Sequence, residues 1–180
     1  MRLTELATGL DHAEGVCWDP AAGVLYAGGE LGQLYRVSLD GRVEEVARLP
    51  AFAYGLAVDG RGAVHVCCRA EGVWRWDGHA VTQVAGGFTF ANYPAFGADG
   101  TLYVSDSGSA WGANDGCIRA GGEVLSRDAP HFTNGLAVSP DGGWLWVAES
   151  YVPRVGRIDL ASGTYEEVVR IDGTVPDGLA

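Results

Sequence analysis

The sequence repeats itself about every 40 residues, and this period limits the fold more than any other feature. Small residues recur at Gly15, Gly55, Ala95 and Gly135, each 40 positions after the one before. A period of this length is typical of solenoids and propellers. Four segments align around these positions: "AEGVCWDPAAGVLYAGG" from Ala13, "AYGLAVDGRGAVHVCC" from Ala53, "NYPAFGADGTLYVSDS" from Asn92 and "TNGLAVSPDGGWLWVAES" from Thr133.

Each repeat is predicted to contain four short antiparallel strands. An apolar run is followed by a turn, and then by a strand that alternates aromatic and β-branched residues, as in "TLYVS" and "WLWVA". The turns Asp59-Gly60, Asp99-Gly100 and Asp141-Gly142 are expected to place glycine at positive φ. Two further strands complete each unit, and no helical periodicity of useful length is present.

Four strands in about 40 residues are the pattern of a β-propeller blade. We therefore predict an all-β fold in which residues 1–180 form a single, incomplete propeller domain. The blades are expected at about 8–50, 51–87, 88–130 and 131–173, with the start of a fifth at 174–180.

The first strand of each propeller blade lines the central channel, so equivalent residues of the repeats converge on one axis. The residues just before the aligned small positions are Glu14, Tyr54, Pro94, Asn134 and Asp177. Two carboxylates and one carboxamide at such a point suit Ca²⁺, Mg²⁺ or Mn²⁺, and a mixed site also accepts Zn²⁺. The alternative is that Asn134-Gly135 and Asp177-Gly178 serve only as turns.

"EGVCWDPAAGVLYAGG", "TNGLAVSPDGGWLWVAES" and the closing "PDGLA" resemble the senescence marker protein/gluconolactonase/luciferin-regenerating enzyme family, the regucalcin-like lactonases. The resemblance implies a six-bladed propeller with one divalent cation in the channel, Ca²⁺ or Zn²⁺ ahead of Mg²⁺ or Mn²⁺. It implies that Glu14, Asn134 and Asp177 are the metal ligands, that Asp177 is also the catalytic base, and that the substrate is a small-molecule lactone. Since four blades do not close a six-bladed ring, the chain is expected to be a fragment.

One position departs from the family pattern. The family often has a further asparagine before the third blade's first strand, where the repeat alignment puts Pro94. Asn92 lies two residues earlier, and we carry it as a candidate substrate-binding residue. The other candidates for the substrate pocket are Tyr54, Trp111 and His131. Tyr54 occupies the equivalent position of the second repeat, His131 lies just upstream of Asn134, and Trp111 lies in the loop "GSAWGAND".

Two other functions stay open from the sequence alone. One is a non-enzymatic propeller that binds a ligand or protein on one face, and the other is a metal-free enzyme similar to strictosidine synthase. A serine hydrolase is disfavoured, because Ser105, Ser107 and Ser109 are not part of a GxSxG motif.

The charge and composition limit the classes of binding partner and the cellular location that we expect. The net charge of −11 disfavours nucleic acid and anionic membrane surfaces. We see no signal peptide and no apolar run near the ~20 residues of a membrane span. The four cysteines, Cys17, Cys67, Cys68 and Cys117, show no metal-binding spacing and are predicted to be reduced. A cytoplasmic protein is therefore expected, and its oligomeric state is left open.

Overall fold

The computed structural model describes residues 4–179, and these residues form sixteen β-strands and no helix. No helix long and apolar enough to cross a membrane occurs in this range. The strands form four antiparallel sheets of four strands each, with each strand paired to the next along the chain. The prediction of an all-β, partial propeller is confirmed.

The sheets follow the order of the chain, and we number them blades 1 to 4. Blade 1 contains β1 (Val16–Asp19), β2 (Val24–Gly28), β3 (Gln33–Ser38) and β4 (Val43–Arg48). Blade 2 contains β5 (Leu56–Val58), β6 (Val64–Cys67), β7 (Val73–Trp76) and β8 (Val81–Ala85). Blade 3 contains β9 (Ala91–Phe96), β10 (Leu102–Asp106), β11 (Cys117–Ala120) and β12 (Glu123–Ser126). Blade 4 contains β13 (Thr133–Val138), β14 (Trp144–Glu149), β15 (Arg154–Asp159) and β16 (Tyr165–Arg170).

Apolar side chains between neighbouring blades form the core. Leu34 of blade 1 packs in one cluster with Leu56 and Val64 of blade 2. Ile118 of blade 3 packs in another with Leu145 of blade 4, and a smaller cluster joins blades 2 and 3. Each fully buried side chain of this kind stabilises the fold by about 1.5–3 kcal/mol. The contacts between blades therefore fix how the first strands are arranged.

Three glycines of the repeat let one blade approach the next. A Cβ atom added to Gly15, Gly55 or Gly135 would lie within 3.0 Å of backbone atoms of the following repeat, closer than real Cβ atoms come. The Gly55 amide donates to the Asn92 carbonyl across 2.8 Å, and the Gly135 amide donates to the Asp177 carbonyl across 3.0 Å. These contacts hold the main chain near the start of one blade's first strand against the main chain of the next repeat.

One turn differs from the expectation. Gly100 and Gly142 have positive φ as predicted, with values of 85° and 71°. Gly60 does not, and Gly62 takes the left-handed conformation instead, with φ 83°. The Asp59 side chain accepts bonds from the amides of Arg61 and Ala63, so the turn is longer and the second glycine closes it.

Candidate metal and substrate site

A pocket of about 290 Å³ lies where the first strands of the blades begin. Glu14, Asn134 and Asp177, the three proposed metal ligands, all line it. Asn92 and Tyr93 complete the polar part of the wall, and Gly15, Val16, Gly55, Gly178 and Leu179 supply the rest. Residues that are far apart in the sequence thus meet at one pocket.

The charged groups of the pocket influence one another. Partial removal of its carboxyl group from water raises the pKa of Glu14, and the nearby Asp177 carboxylate raises it further. The Glu14 residue as a whole is nevertheless exposed, as is Asp177, so both carboxylates remain open to solvent or a ligand. Asn134 is buried, and its Oδ1 atom has no hydrogen-bond partner.

Ser150 orients the amide of Asn134. The Asn134 Nδ2 atom lies 3.1 Å from Ser150 Oγ, and that hydroxyl donates to the Pro176 carbonyl across 2.6 Å. Because the hydroxyl proton goes to Pro176, its oxygen is an acceptor toward Asn134, and the NH₂ group must be the donor. The same serine therefore directs Asn134 Oδ1 away from itself and holds the residue before Asp177.

The same arrangement occurs one blade earlier. Asn92 Nδ2 donates to Ser107 Oγ across 2.8 Å, and Ser107 donates to the Thr133 carbonyl across 2.7 Å. Asn92 is buried, like Asn134. Each serine follows the second strand of its blade and ties an asparagine of that blade to the residue before the next pocket residue.

Two buried carboxylates fix the backbone of the segments that lead into the pocket. The Asp106 side chain accepts bonds from the amides of Thr89 and Phe90, at 3.1 and 2.8 Å. The Glu149 side chain is fully buried and accepts a bond from the His131 amide at 2.9 Å. Glu149 also pairs with Arg154 and accepts a bond from the Tyr165 hydroxyl. The segments before Asn92 and Asn134 are therefore anchored at equivalent points.

The repeat alignment was wrong about Pro94. Pro94 pairs with Val104 inside β9 and is not a lining residue of the pocket, whereas Asn92 is. The Asn92 carbonyl accepts the Gly55 amide just as the Asp177 carbonyl accepts the Gly135 amide. Asn92 therefore occupies the third-blade position that the spacing assigned to Pro94.

The other three predicted substrate residues are not among those that line the pocket. Tyr54 is half-buried and stacks on Phe52. Trp111 is exposed and stacks on Phe132. His131 is half-buried, and its Nδ1 atom lies 2.6 Å from Asn114 Oδ1. Their role as substrate contacts stays a prediction.

The sequence interpretation missed the serines and buried carboxylates behind the pocket. A signal for them was present, since "SDS" ending at Ser107 and "AES" ending at Ser150 place a carboxylate and a serine at one repeat position. Within residues 4–179 no group of three or more His, Cys, Asp or Glu side chains is placed to hold a metal ion. The candidate ligand set is thus two carboxylates and one amide.

Comparisons with known proteins agree with this architecture. Residues 12–180 match the family model described as the SMP-30/gluconolactonase/LRE-like region. A gluconolactonase from Xanthomonas campestris superposes with a TM-score of 0.79 at 18% identity, over 94% of this chain and 66% of that one. Regucalcin from Agrobacterium tumefaciens, described as a calcium-binding protein, superposes with a TM-score of 0.72 at 24% identity, over 93% of this chain and 61% of that one.

The chain thus spans less than two thirds of the length of either structure. A search of curated proteins gave no match.

Proposed function

Because the chain belongs to the SMP-30/gluconolactonase/LRE-like family, we propose that it is a lactonase that uses a divalent cation bound at the axial pocket. The observation that carries the proposal is the Oδ1 atom of Asn134, which is buried without a donor beside the carboxylates of Glu14 and Asp177. The structural neighbour named gluconolactonase supports this class of reaction, and the neighbour described as a calcium-binding protein supports the cation.

The residues of the pocket fit a cation. A buried polar atom without a partner costs about 1–3 kcal/mol. Two carboxylates at one pocket also repel each other, which is the reason that Asp177 raises the pKa of Glu14. A divalent cation held by Glu14, Asn134 and Asp177 would remove both costs. Carboxylate and amide oxygens are the ligands that Ca²⁺ prefers, and Zn²⁺, Mg²⁺ and Mn²⁺ also accept them.

When bound, such a cation polarises a lactone carbonyl and lowers the pKa of water. Asp177 is the proposed general base, because its exposed carboxylate lines the pocket and is free to take a proton from the attacking water. Asn92 would orient the substrate through Oδ1, since Ser107 already occupies its NH₂ group. The product is the ring-opened hydroxy acid.

The proposal is tested with residues 1–180, stripped of metal by chelation and reloaded separately with Ca²⁺, Zn²⁺, Mg²⁺ or Mn²⁺. Lactone hydrolysis is followed by proton release. We expect activity that depends on the cation, and a loss of at least roughly 100-fold in kcat for Asp177→Asn. Asp172→Asn is the matched control, because Asp172 is exposed in the same segment but is not among the residues that line the pocket.

Wild-type turnover by Asp177→Asn would remove Asp177 as the base. If the protein hydrolyses no lactone with any of the four cations, the lactonase proposal fails. Stoichiometric metal without hydrolysis would instead indicate a propeller that binds a ligand and does not turn it over.

A further inference from the structure

Seven ring-bearing side chains form a continuous chain that passes from blade 1 to blade 4. We call this set the aromatic rim; in order of contact its members are His12, Phe52, Tyr54, Phe90, Phe132, Trp111 and Tyr151. The successive ring centroids are 5.6, 4.5, 4.9, 5.6, 4.9 and 5.5 Å apart. These distances lie in the range of attractive aromatic pairs.

The rim lies at the pocket end of the channel. Phe90 is two residues before Asn92, and Phe132 is two residues before Asn134. His12 stands in the same relation to Glu14. Since all three rings precede the first strand of their blade, they lie at the same end of those strands as the pocket. The rim therefore borders the opening above the pocket residues.

Hydrogen bonds to the main chain hold the central rings in place. Phe90 donates its amide to Asp106 Oδ1 across 2.8 Å and accepts the Ser107 amide across 2.9 Å. Phe132 accepts the Ser150 amide across 3.1 Å. Phe132 also has φ 58°, a left-handed conformation that costs about 1–3 kcal/mol for a bulky residue and persists only where its surroundings impose it. The rim is thus preformed rather than a loose apolar surface.

The rim is open to a ligand. Phe52, Phe90 and Phe132 carry no polar side-chain atom, and the imidazole of His12 pairs with Glu30 across 3.0 Å. Trp111 is 54% exposed and Tyr151 is 43% exposed. The basic group stacked on the rim is Arg69, whose guanidinium lies 5.0 Å from the Phe90 ring. A polyhydroxylated lactone needs many donors and acceptors around it, whereas this surface matches an apolar group.

We propose that the aromatic rim binds an apolar or aryl substituent of the lactone, so that the enzyme prefers apolar lactones to polyhydroxylated sugar lactones. This proposal rests on the lactonase function proposed above and names its substrate class. In this proposal the pocket residues bind and hydrolyse the lactone ring, and the rim determines which substituent on that ring is preferred.

The test compares dihydrocoumarin, an aryl-fused six-membered lactone, with glucono-δ-lactone, which has the same ring size and carries hydroxyl groups. δ-Valerolactone, which carries no substituent, serves as the reference. We expect kcat/KM for dihydrocoumarin to exceed that for glucono-δ-lactone by about tenfold or more. Phe90→Ala and Phe132→Ala should each lower kcat/KM for dihydrocoumarin by about tenfold, mainly through KM, and lower kcat/KM for δ-valerolactone by a clearly smaller factor.

Two further variants control for folding. Phe90→Leu keeps apolar volume without the ring and should give an intermediate loss. Phe96→Ala removes a half-buried phenylalanine at the other end of β9, where the ring contacts His65, and should not alter the preference.

A preference for glucono-δ-lactone, or an equal loss on all three lactones in the Phe90 and Phe132 variants, would overturn the rim proposal and leave the lactonase function standing. No hydrolysis of any lactone would overturn both.

Discussion

Asn134 donates its side-chain NH₂ group to the Ser150 hydroxyl across 3.1 Å, and this bond determines which atom of the amide remains for the pocket. Without it the amide could rotate and present a donor where the proposed cation needs an oxygen. The bond is buried, since Asn134 is 6% and Ser150 2% exposed, so water does not readily replace it.

Ser150→Ala is therefore expected to weaken cation binding about tenfold or more, because groups that orient a ligand commonly contribute 10–100-fold to metal affinity. Isothermal titration of the metal-free chain with Ca²⁺ or Mn²⁺ measures this directly. Ser150→Thr keeps the hydroxyl and should recover most of the affinity. Ser126→Ala is the matched control, because this buried serine pairs with Asp128 in blade 3 and not with an asparagine of the pocket. Unchanged affinity in Ser150→Ala would show that the hydroxyl does not position the ligand.

Gly135→Ala should separate the last segment of the chain from blade 4. A Cβ atom there would collide with the backbone at Asp177, Gly178 and Leu179. We expect a loss of about 1–3 kcal/mol in the free energy of unfolding, measured by denaturant titration, together with weaker cation binding. Gly60→Ala is the control, because a Cβ atom at Gly60 meets nothing within 4 Å and its φ is not left-handed. Equal stability of the two variants would contradict the close approach.

His65 should make the fold less stable as the solution becomes acidic. Burial lowers the pKa of His65 below its ordinary value of 6.5, against the opposing effect of the Asp59 carboxylate 3.1 Å away. Arg75, the other charged group nearby, also lowers it. Between the lowered pKa and about 6.5 the unfolded chain binds a proton that the folded chain does not, so stability falls as pH drops through this window.

The midpoint of thermal unfolding, measured between pH 7.5 and 5.5, should fall less in His65→Gln than in the wild type. His79→Gln, at an exposed turn of the same blade, should keep the wild-type slope. A wild-type slope in His65→Gln would assign the pH dependence to other groups.

The four cysteines should react slowly in the folded protein, because Cys67, Cys68 and Cys117 are buried and Cys17 is half-buried. Burial raises the pKa of Cys17 and of Cys68 to about 12, and it raises the pKa of Cys67 and Cys117 as well. Since the thiolate is the reactive form, a disulfide reagent such as Ellman's should titrate four thiols only after unfolding in guanidinium. Ser109→Cys, in an exposed loop, should add one fast thiol. A fast thiol in the unaltered native protein would contradict the burial.

The repeat made the sheets predictable, because alternation and turn residues act locally along each strand. The repeat spacing did not, however, predict which residues of blade 3 correspond to those of the other blades. By spacing along the chain, Ala95 of blade 3 corresponds to Gly135 of blade 4. By strand pairing, Ala95 corresponds instead to Ala137. Ala95 pairs with Tyr103, and Ala137 pairs with the equivalent residue of blade 4, Trp146. Turns change length without harming the fold, so a period counted along the chain shifts by a residue or two while the hydrogen bonds stay aligned. This shift is the reason that the spacing assigned Pro94, instead of Asn92, to the pocket position of blade 3.

The candidate ligands could be predicted because they immediately precede the apolar runs of the repeat. The residues that orient them could not, since Ser107 and Ser150 act across strands and across the boundary between two blades. Asp106 is buried and anchors Thr89 and Phe90, a role that depends on contacts 16 and 17 residues away in the sequence.

The hydrogen bonds of Ser107 and Ser150 join residues of successive repeats, so the set of residues that builds the pocket does not coincide with a single blade. A blade runs from its first strand to its fourth, but each serine follows the second strand of one blade and donates to a main-chain carbonyl of the next repeat, at Thr133 or Pro176. A chimaera assembled at blade boundaries would part each serine from the residue it positions. Exchanges made between the first and second strands would keep each serine on the same segment as the carbonyl of the next blade that it binds, and a chimaera joined there is expected to retain these contacts.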